Sequence, residues 1–204
     1  MEAQDLLAML RGMRDVSFAT VDDRGRPQVR IIDVMLVEED RLVFCTARGK
    51  DFHREIAERP YVAITGLNDA WQTVRLTGPV RRLDDQRPWI DRIFEENPSM
   101  NGVYPGDARY ILEAFALEEG QLEFFDLGVS PIYRESLSFG GVQPRCQGFV
   151  ITDDCIACDA CAAECPQSCI FEGDTYEIQQ EHCLHCGLCV ETCPVGAVER
   201  RDAA

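Results

Sequence analysis

The sequence predicts an antiparallel β-barrel of six strands with helices outside it, followed by a small α+β domain. Short apolar runs with strand-like alternation, separated by turn residues, fill most of the first 127 positions. Nine of the 11 cysteines fall between residues 155 and 193. A chain of 204 residues with 46% hydrophobic content is long enough for two domains. The predicted boundaries are 1–128 for the barrel, 129–148 for a linker and 149–204 for the small domain.

The barrel domain is predicted to open with an amphipathic helix, because Leu6, Leu10 and Met13 recur at helical spacing. The period then changes to that of strands. Three strands in a meander are expected at residues 17–21, 28–37 and 41–46. The meander favours an antiparallel sheet or barrel.

The second half of this domain alternates helix and strand signals. A helix over 51–59, stopped by Pro60, leads to a fourth and a fifth strand at 61–67 and 71–83. A helix over 85–96 precedes a final hairpin of strands 110–117 and 121–127. Residues 127–148 hold four glycines, two prolines and three serines without a clean period, which is typical of a linker.

Composition excludes several classes of protein. The net charge is −16, with 17 basic and 25 acidic residues over 1–144 and 3 basic and 11 acidic residues over 145–204. Nucleic acid is therefore not an expected partner, whereas a redox protein with a basic docking face is. Neither a signal peptide nor an apolar run of membrane-spanning length is found. Outside 155–193 only Cys45 and Cys146 occur, a profile typical of a cytoplasmic protein.

The cysteine-rich segment contains the same phrase twice. Each copy reads C-x2-C-x2-C-x3-C-P, the run that bacterial-type two-cluster ferredoxins use to bind 4Fe-4S clusters. The fourth cysteine of each run serves the other cluster, so the predicted wiring is crossed. One cluster would be bound by Cys155, Cys158, Cys161 and Cys193, and the other by Cys183, Cys186, Cys189 and Cys165. Residues 174–179 are predicted to form the strand between the two loops.

Two other uses of cysteine have different sequence signatures. A zinc site would favour two C-x2-C pairs separated by a longer loop, and a disulfide framework would favour a secreted protein. Cys169 and Cys45 are expected to be small buried side chains, although ligation by Cys169 stays an alternative. The three histidines, His53, His182 and His185, are expected at the surface.

The order of motifs over residues 15–127 resembles the pyridoxamine 5′-phosphate oxidase-like split-barrel flavoproteins. The resemblance is carried by Gly25-Arg26-Pro27-Gln28-Val29-Arg30, by Leu42-Val43-Phe44-Cys45-Thr46 followed by Lys50, by Tyr61-Val62-Ala63-Ile64 and by Val74-Arg75-Leu76-Thr77-Gly78. It implies a six-stranded split β-barrel that forms a homodimer and binds FMN at the dimer interface. The second domain would be a small α+β ferredoxin-type domain.

The resemblance also implies site residues. Arg30, Ile31, Ile32 and Asp33 would line the flavin, Thr46 and Lys50 would contact its phosphate, and Gln72 or Thr73 would approach the ring. Independently, Lys50 is the single lysine beside 19 arginines and stands just before a predicted helix, where an anion is favoured. A chance surface lysine and a cross-strand ion pair of Arg30 are the alternatives.

These features predict an FMN-dependent oxidoreductase that passes electrons between two 4Fe-4S clusters and FMN, reducing a small molecule or a redox partner. No catalytic acid or base stands out. Oxidation of pyridoxamine 5′-phosphate itself is not expected, because the linker and clusters replace the C-terminal substrate-binding residues of that enzyme. The alternatives are a non-catalytic electron-transfer or redox-sensing module, and a barrel that binds deazaflavin or haem.

Overall fold

The computed structural model describes residues 1–39, 41–173 and 175–201, which form two compact units. The first unit comprises Met1–Asn68, Thr73–Leu122 and Leu137–Gln143. The second comprises Asp69–Gln72, Glu123–Ser136 and the chain from Pro144 onwards. Within the described ranges, none of the helices combines the length and the apolar character needed to cross a membrane.

Strands up to residue 139 form two sheets. The strands are β1 (Asp15–Val21), β2 (Pro27–Asp33), β3 (Leu36–Glu38), β4 (Arg41–Ala47), β5 (Tyr61–Leu67), β6 (Gln72–Pro79), β7 (Arg81–Arg82), β8 (Leu112–Leu117), β9 (Gly120–Asp126) and β10 (Tyr133–Phe139). One sheet has the order β10-β9-β6-β5-β1-β2, and the other has the order β3-β4-β8-β7. The β1–β2, β1–β5, β5–β6 and β4–β8 ladders are antiparallel, which confirms the predicted fold class.

Aromatic side chains fill the space between the sheets of the first unit. Phe18 of β1 and Phe44 of β4 are completely buried, with ring centroids 5.0 Å apart. Phe52 contacts both rings, and Phe115 of β8 stacks on Phe44 at 5.7 Å. Burying each such ring removes a large apolar area from water and contributes roughly 1.5–3 kcal/mol. These contacts fix β4 and β8 against β1.

Three helices flank the sheets: α1 (Ala3–Met13), α2 (Asp51–Glu58) and α3 (Gln86–Glu96). Helix α1 buries Leu6, Leu7 and Leu10, as its spacing predicts. Helix α3 packs Ile90, Ile93 and Phe94 against the face of β4 and β8 opposite the aromatic cluster. Helix α2 ends at Glu58 before Pro60, which cannot donate a helical hydrogen bond. All three helices were predicted from the sequence.

Two strands predicted as long are each divided. The predicted strand 28–37 ends at Asp33 and resumes as β3 in the other sheet. The crossing occurs where Val34 N–H bonds to the Arg14 carbonyl and Met35 N–H to that of Val43. The predicted strand 71–83 likewise divides into β6 and β7 at Pro79–Val80, where Val80 N–H bonds to the Pro60 carbonyl. Apolar alternation continues through both crossings, so it gave no sign of them.

The predicted linker also contains regular structure. Residues 133–139 form β10, the edge strand next to β9 in the six-stranded sheet. All but the last of its residues are only half-buried, a pattern that lacks the alternation of the other strands. Sheet pairing therefore overrides the weak local signal in this segment.

The cysteine-rich part is built from a 28-residue repeat. Its elements are β11 (Phe149–Ile151), α4 (Ala160–Ala163), β12 (Ile170–Phe171), β13 (Glu177–Ile178), α5 (Leu188–Thr192) and β14 (Val198–Arg200). Strand β11 pairs with β14, and β12 pairs with β13, both antiparallel. Each pair thus joins one strand of each copy. The predicted strand 174–179 is represented by β13, while its first residue, Asp174, lies outside the described residues.

Candidate redox centres

Two cavities in the second unit are each lined by four of the predicted cysteine ligands. The first cavity is lined by Cys155, Cys158, Cys161 and Cys193. The second is lined by Cys165, Cys183, Cys186 and Cys189. We call them the first centre and the second centre. The fourth cysteine of each copy lies in the cavity of the other copy, which is the grouping that crossed wiring requires.

Left-handed backbone shapes the loop around each centre. Ala157 and Asp159 in the first copy, and His185 and Gly187 in the second, all have positive φ angles between 53° and 82°. These turns direct backbone N–H groups at the sulfurs. Ala157 N–H donates to Cys155 Sγ at 3.5 Å, and His185 N–H donates to Cys183 Sγ at 3.4 Å. Such donors stabilise thiolates and cluster sulfides.

The fourth cysteine of each copy sits in a second group of amides. Val195, Ala197 and Gly196 donate backbone hydrogen bonds that lower the pKa of Cys193, and Ala197 N–H lies 3.2 Å from its Sγ. Burial opposes ionisation of Cys165, yet the amides of Cys169, Gln167 and Ser168 together lower its pKa. Both shifts favour the thiolate, which is the form of cysteine that binds iron.

Among the other cysteines of the two sets, Cys161 and Cys183 are buried and Cys189 is half-buried, whereas Cys158 and Cys186 are exposed. Burial raises the pKa of Cys161 and Cys183, and it raises that of Cys189 to about 11. Among the described residues, no three His, Cys, Asp or Glu side chains close around a point as they would about a single metal ion. The thiols instead surround cavities, and their spacing and amide donors fit 4Fe-4S clusters.

Three further cysteines lie outside the two sets of four. Cys169 is buried beside the second centre, with its Sγ 3.6 Å from Cys165 Sγ, and burial raises its pKa. Cys45 is buried in β4, and burial raises its pKa to about 12, so it is an inert thiol. Cys146 is exposed.

The three histidines, expected at the surface, are all half-buried. His53 Nε2 lies 2.7 Å from Glu113 Oε2. His185 Nε2 is buried without a hydrogen-bond partner, and burial lowers the pKa of this imidazole to about 4. Close approach of Gly148 makes this burial possible, since a Cβ there would lie 2.8 Å from His185 Nε2.

In the first unit, the four residues predicted to line a flavin do not share a face. They alternate along β2, so Arg30 and Ile32 lie on one side and Ile31 and Asp33 on the other. Ile31 is 61% exposed. Burial and the neighbouring Asp15 carboxyl raise the pKa of Asp33.

Arg30 is held by buried polar groups. Its Nη2 lies 2.8 Å from Glu55 Oε2, its Nη1 donates to Thr20 Oγ1, and its guanidinium lies 4.8 Å from the Phe52 ring centre. Glu55 is nearly inaccessible, and a buried carboxylate needs such a partner. This is the ion pair that the sequence left as an alternative, although its partner is on α2 rather than on a neighbouring strand.

The predicted phosphate residues lie where β4 leads to α2. The Thr46 hydroxyl is buried and has no hydrogen-bond partner. Lys50 is the residue before α2, and no side chain caps the first turn of that helix. The eight residues after Thr46 contain three cations, Arg48, Lys50 and Arg54, and one carboxylate, Asp51. Asp51 pairs with Arg54 at 2.8 Å. An unpaired hydroxyl, free helix amides and excess positive charge fit a phosphate.

The two residues predicted on the fifth strand are placed differently. Gln72 begins β6 and belongs to the second unit, where its amide donates to Asp126 Oδ2 at 2.9 Å. Thr73 belongs to the first unit and pairs with Leu67 of β5.

The sequence did not predict a third cavity, which lies in the first unit and has a volume of about 240 Å³. Arg82 makes two hydrogen bonds to Glu113, at 2.9 and 2.7 Å, while Arg48 donates to the Tyr110 carbonyl. Hydrogen bonds from Arg82 and His53 lower the pKa of Glu113 to about 2. The residues that line this cavity come from a loop, β7, α3 and β8. These segments are separated in the sequence, so no local motif predicts the cavity.

Family models match two separate parts of the chain. Residues 3–109 match the pyridoxamine 5′-phosphate oxidase family, and residues 152–171 and 176–199 each match a 4Fe-4S binding domain. Together these matches indicate a flavin and iron-sulfur redox role, with FMN and two 4Fe-4S clusters as cofactors.

Individual relatives agree with this division. A pyridoxine/pyridoxamine 5′-phosphate oxidase from Burkholderia thailandensis is 29% identical over 119 residues, 57% of this chain and 55% of that protein. A ferredoxin from Butyribacterium methylotrophicum is 51% identical over 35 residues, 17% of this chain and 64% of that protein. The chain spans about half the length of the curated oxidases it matches.

A solved structure supports the fold. A NimC/NimA family protein from Clostridium acetobutylicum superposes with a TM-score of 0.57 at 23% identity, covering 67% of this chain and 92% of that one. The family match extends over more than half of the chain. The chain therefore belongs to the pyridoxamine 5′-phosphate oxidase family, fused to a ferredoxin-type 4Fe-4S domain.

Proposed function

We propose that this protein is a flavin and iron-sulfur oxidoreductase, which passes electrons between two 4Fe-4S clusters and FMN to reduce a small molecule or a redox partner. The observation that carries the proposal is the grouping of eight cysteines into two cavities, on a chain whose other part belongs to a flavoprotein-type family. A 4Fe-4S cluster exchanges single electrons, whereas a flavin can collect two and deliver them together.

In this proposal the eight cysteines are the cluster ligands. Cys155, Cys158, Cys161 and Cys193 bind the first cluster, and Cys165, Cys183, Cys186 and Cys189 bind the second. The amide donors at Cys193 and Cys165 stabilise the ligand charge and thereby tune the reduction potentials.

The flavin phosphate is proposed to bind at the start of α2. Thr46 would donate its unpaired hydroxyl, and Lys50 would supply a positive charge beside the free helix amides. Arg30, Ile31, Ile32 and Asp33 stay as predicted flavin neighbours, together with Gln72 and Thr73. Successive side chains of β2 lie on opposite faces of the sheet. One protomer can therefore present only two of the four predicted β2 residues to a given flavin face.

That alternation favours a homodimer. The outward face of the six-stranded sheet carries Val29 and Ile31 of β2 and Tyr61 and Leu67 of β5, all largely exposed. An apolar sheet face of this kind is typical of a buried interface. A partner protomer that covers it would make both faces of β2 available to bound cofactor.

No side chain of the described chain is assigned an acid or base role. The protein's part in the proposed reaction is to bind and position the cofactors and to exclude water from them. Oxidation of pyridoxamine 5′-phosphate is not proposed, because the second unit follows the barrel where that substrate's C-terminal contacts would be expected.

The test is cofactor analysis of the anaerobically purified full chain. Iron, acid-labile sulfide and released flavin should amount to about eight irons and one FMN per chain. Dithionite should then reduce clusters and flavin in the same sample. Iron without flavin would sink the FMN assignment in favour of deazaflavin, haem or an empty barrel, and a flavin that stays oxidised beside reduced clusters would support the redox-sensing module.

Double variants test the crossed wiring. Cys165→Ser combined with Cys186→Ser removes two ligands from one centre, so about four irons should remain. Cys165→Ser combined with Cys155→Ser affects both centres and should remove nearly all iron. Cys146→Ser is the matched control, because this exposed cysteine lies outside both cavities. Equal iron loss in the two double variants would refute the crossed assignment.

A further inference from the structure

We propose that a one-electron carrier protein with a basic rim docks on the surface of the first centre, which makes this centre the external electron port. The inference rests on the proposed function and adds which of the two centres meets the partner. The port surface is defined as Ile156, Val195 and the acidic residues Asp153, Asp154 and Asp159.

The 28-residue repeat provides an internal comparison of the two centres. Ile156 and Val195 line the first cavity, and their equivalents at the second are Leu184 and Gln167. Ile156 is 60% exposed and Val195 is 46% exposed. Leu184 and Gln167 are both half-buried. The same two positions are therefore open at the first centre and partly covered at the second.

The cover comes from the segment Glu123–Ser136 of the same unit. The backbone N–H of Ile132 donates to Gln167 Oε1 at 3.2 Å, and the Ile132 carbonyl lies 2.8 Å from His182 Nδ1. The Tyr133 ring packs near His182, with centroids 6.5 Å apart. Gln167 and His182 flank Cys165 and Cys183, so this segment shields the rim of the second centre.

Charge identifies the kind of partner. Asp153, Asp154 and Asp159 are exposed beside the first centre. Their repeat equivalents are Glu181, His182 and Gly187, so the second centre has one acidic residue where the first has three. Glu199 and Arg200 are both exposed. The Arg200 guanidinium lies over the ring of Phe149, and Phe149 lines the second cavity. An apolar centre with an acidic rim complements a carrier whose prosthetic group is ringed by lysine or arginine.

The reaction at the port is a simple exchange. One electron leaves the reduced partner and is gained by the other, and no bond or proton changes. Electron transfer slows steeply with distance, so a carrier favours the centre with the more open wall. Ile156 and Val195 offer a larger exposed apolar wall at the first centre than Leu188, which is 37% exposed, offers at the second.

The test uses the full chain with its clusters and mammalian cytochrome c, a lysine-rimmed one-electron carrier, as the probe. The dithionite-reduced protein is desalted, and its oxidation by ferric cytochrome c is followed by stopped flow at several ionic strengths. Asp153→Asn combined with Asp154→Asn should slow the second-order rate about tenfold at low salt and flatten its salt dependence. The affinity of the oxidised protein for cytochrome c, measured by calorimetry, should fall in parallel.

Glu181→Gln is the matched control, because it removes the equivalent charge at the second centre and should leave the rate within about twofold. An uncharged quinone should oxidise all forms equally. Unchanged rates and affinities in the double aspartate variant, or equal slowing by Glu181→Gln, would overturn the port. A chain without iron would overturn the proposed function and the port together, whereas loaded clusters with insensitive exchange would overturn the port alone.

Discussion

The first unit, here called the barrel unit, and residues 149–201 of the second unit, here called the cysteine-rich unit, bury very different apolar cores. In the barrel, Phe18, Phe44, Phe52 and Phe115 form a continuous aromatic cluster, and α3 seals the opposite face of β4 and β8. In residues 149–201, the buried apolar side chains of the described chain are Phe149, Ile151, Cys161, Cys169, Ile170, Tyr176, Cys183, Ala197 and Val198. Its strands β11 to β14 are two or three residues long.

This difference shows that the two units depend on different sources of stability. A core of nine side chains, three of them cysteines, is too small to offset the conformational entropy of about fifty ordered residues. In the proposed holoprotein, iron-thiolate bonds at the two centres would supply the missing constraint, as structural metals do in other small domains. The barrel needs no such help from its cofactor.

The largest expected effect follows from iron removal. Chelation of oxidised protein should unfold residues 149–201 and leave the barrel strands folded. We expect hydrogen exchange to show lost protection in β11 to β14 and retained protection in β1, β4 and β8. A cysteine-rich unit that kept its protection without iron would contradict the comparison.

A core truncation should act on the barrel alone. Phe44→Ala leaves a cavity among Phe18, Phe52 and Phe115 and should lower the free energy of unfolding of the barrel by about 3–5 kcal/mol. The iron content should be unchanged. Urea unfolding followed at the backbone amides of the barrel measures this loss. Val103→Ala, at an exposed position, is the control and should change the free energy of unfolding by less than about 0.5 kcal/mol.

Acid should weaken the barrel through Glu113. The carboxylate of Glu113 has its pKa lowered from 4.5 to about 2, chiefly by the two hydrogen bonds from Arg82. A lowered pKa stabilises the folded state above the unfolded-state value, so this contribution is complete above pH 4.5 and lost as the pH falls toward 2. It amounts to at most about 3 kcal/mol.

Glu113→Gln should therefore destabilise the barrel at neutral pH and flatten its stability profile between pH 4.5 and 2. Glu95→Gln, on an exposed carboxylate of α3, is the control and should leave the profile unchanged. An acid transition that keeps its midpoint in Glu113→Gln would show that other carboxylates control it.

The smallest expected effect concerns backbone fit in the cysteine-rich unit. Gly148 has φ of 108°, and a Cβ there would lie 2.3 Å from Gln180 Oε1. Gly148→Ala should destabilise this unit by about 1–3 kcal/mol, because strain and a clash add. Gly196→Ala has a positive φ but open space, and should lose only about 1 kcal/mol. Equal losses would show that the contact with Gln180 and His185 relaxes freely.

Much of the second unit could be predicted from sequence because its information is local. The repeated C-x2-C-x2-C-x3-C-P spacing states which thiols belong together, and the structure groups them in that way. The helices of the barrel were also predictable, since caps, Pro60 and apolar spacing act within a few residues.

The sheet crossings and the polar pairs were not predictable. Arg30 pairs with Glu55, 25 residues away, and Glu113 pairs with Arg82 and His53, 31 and 60 residues away. A strand that passes from one sheet to another keeps its apolar alternation, so the sequence pattern does not show the break at Val34. The buried environment of His185 depends on the approach of Gly148, 37 positions earlier.

By itself, the sequence determined the two-part organisation, the cysteine sets and the helices of this protein, because short-range spacing fixes which groups a turn or a loop can bring together. Only the tertiary structure decided that β10 joins the sheet, that Thr46 is buried without a partner and that Ile132 covers one centre and not the other. Those features depend on contacts between distant segments. Such contacts form only when the whole chain has folded, and no local pattern records them.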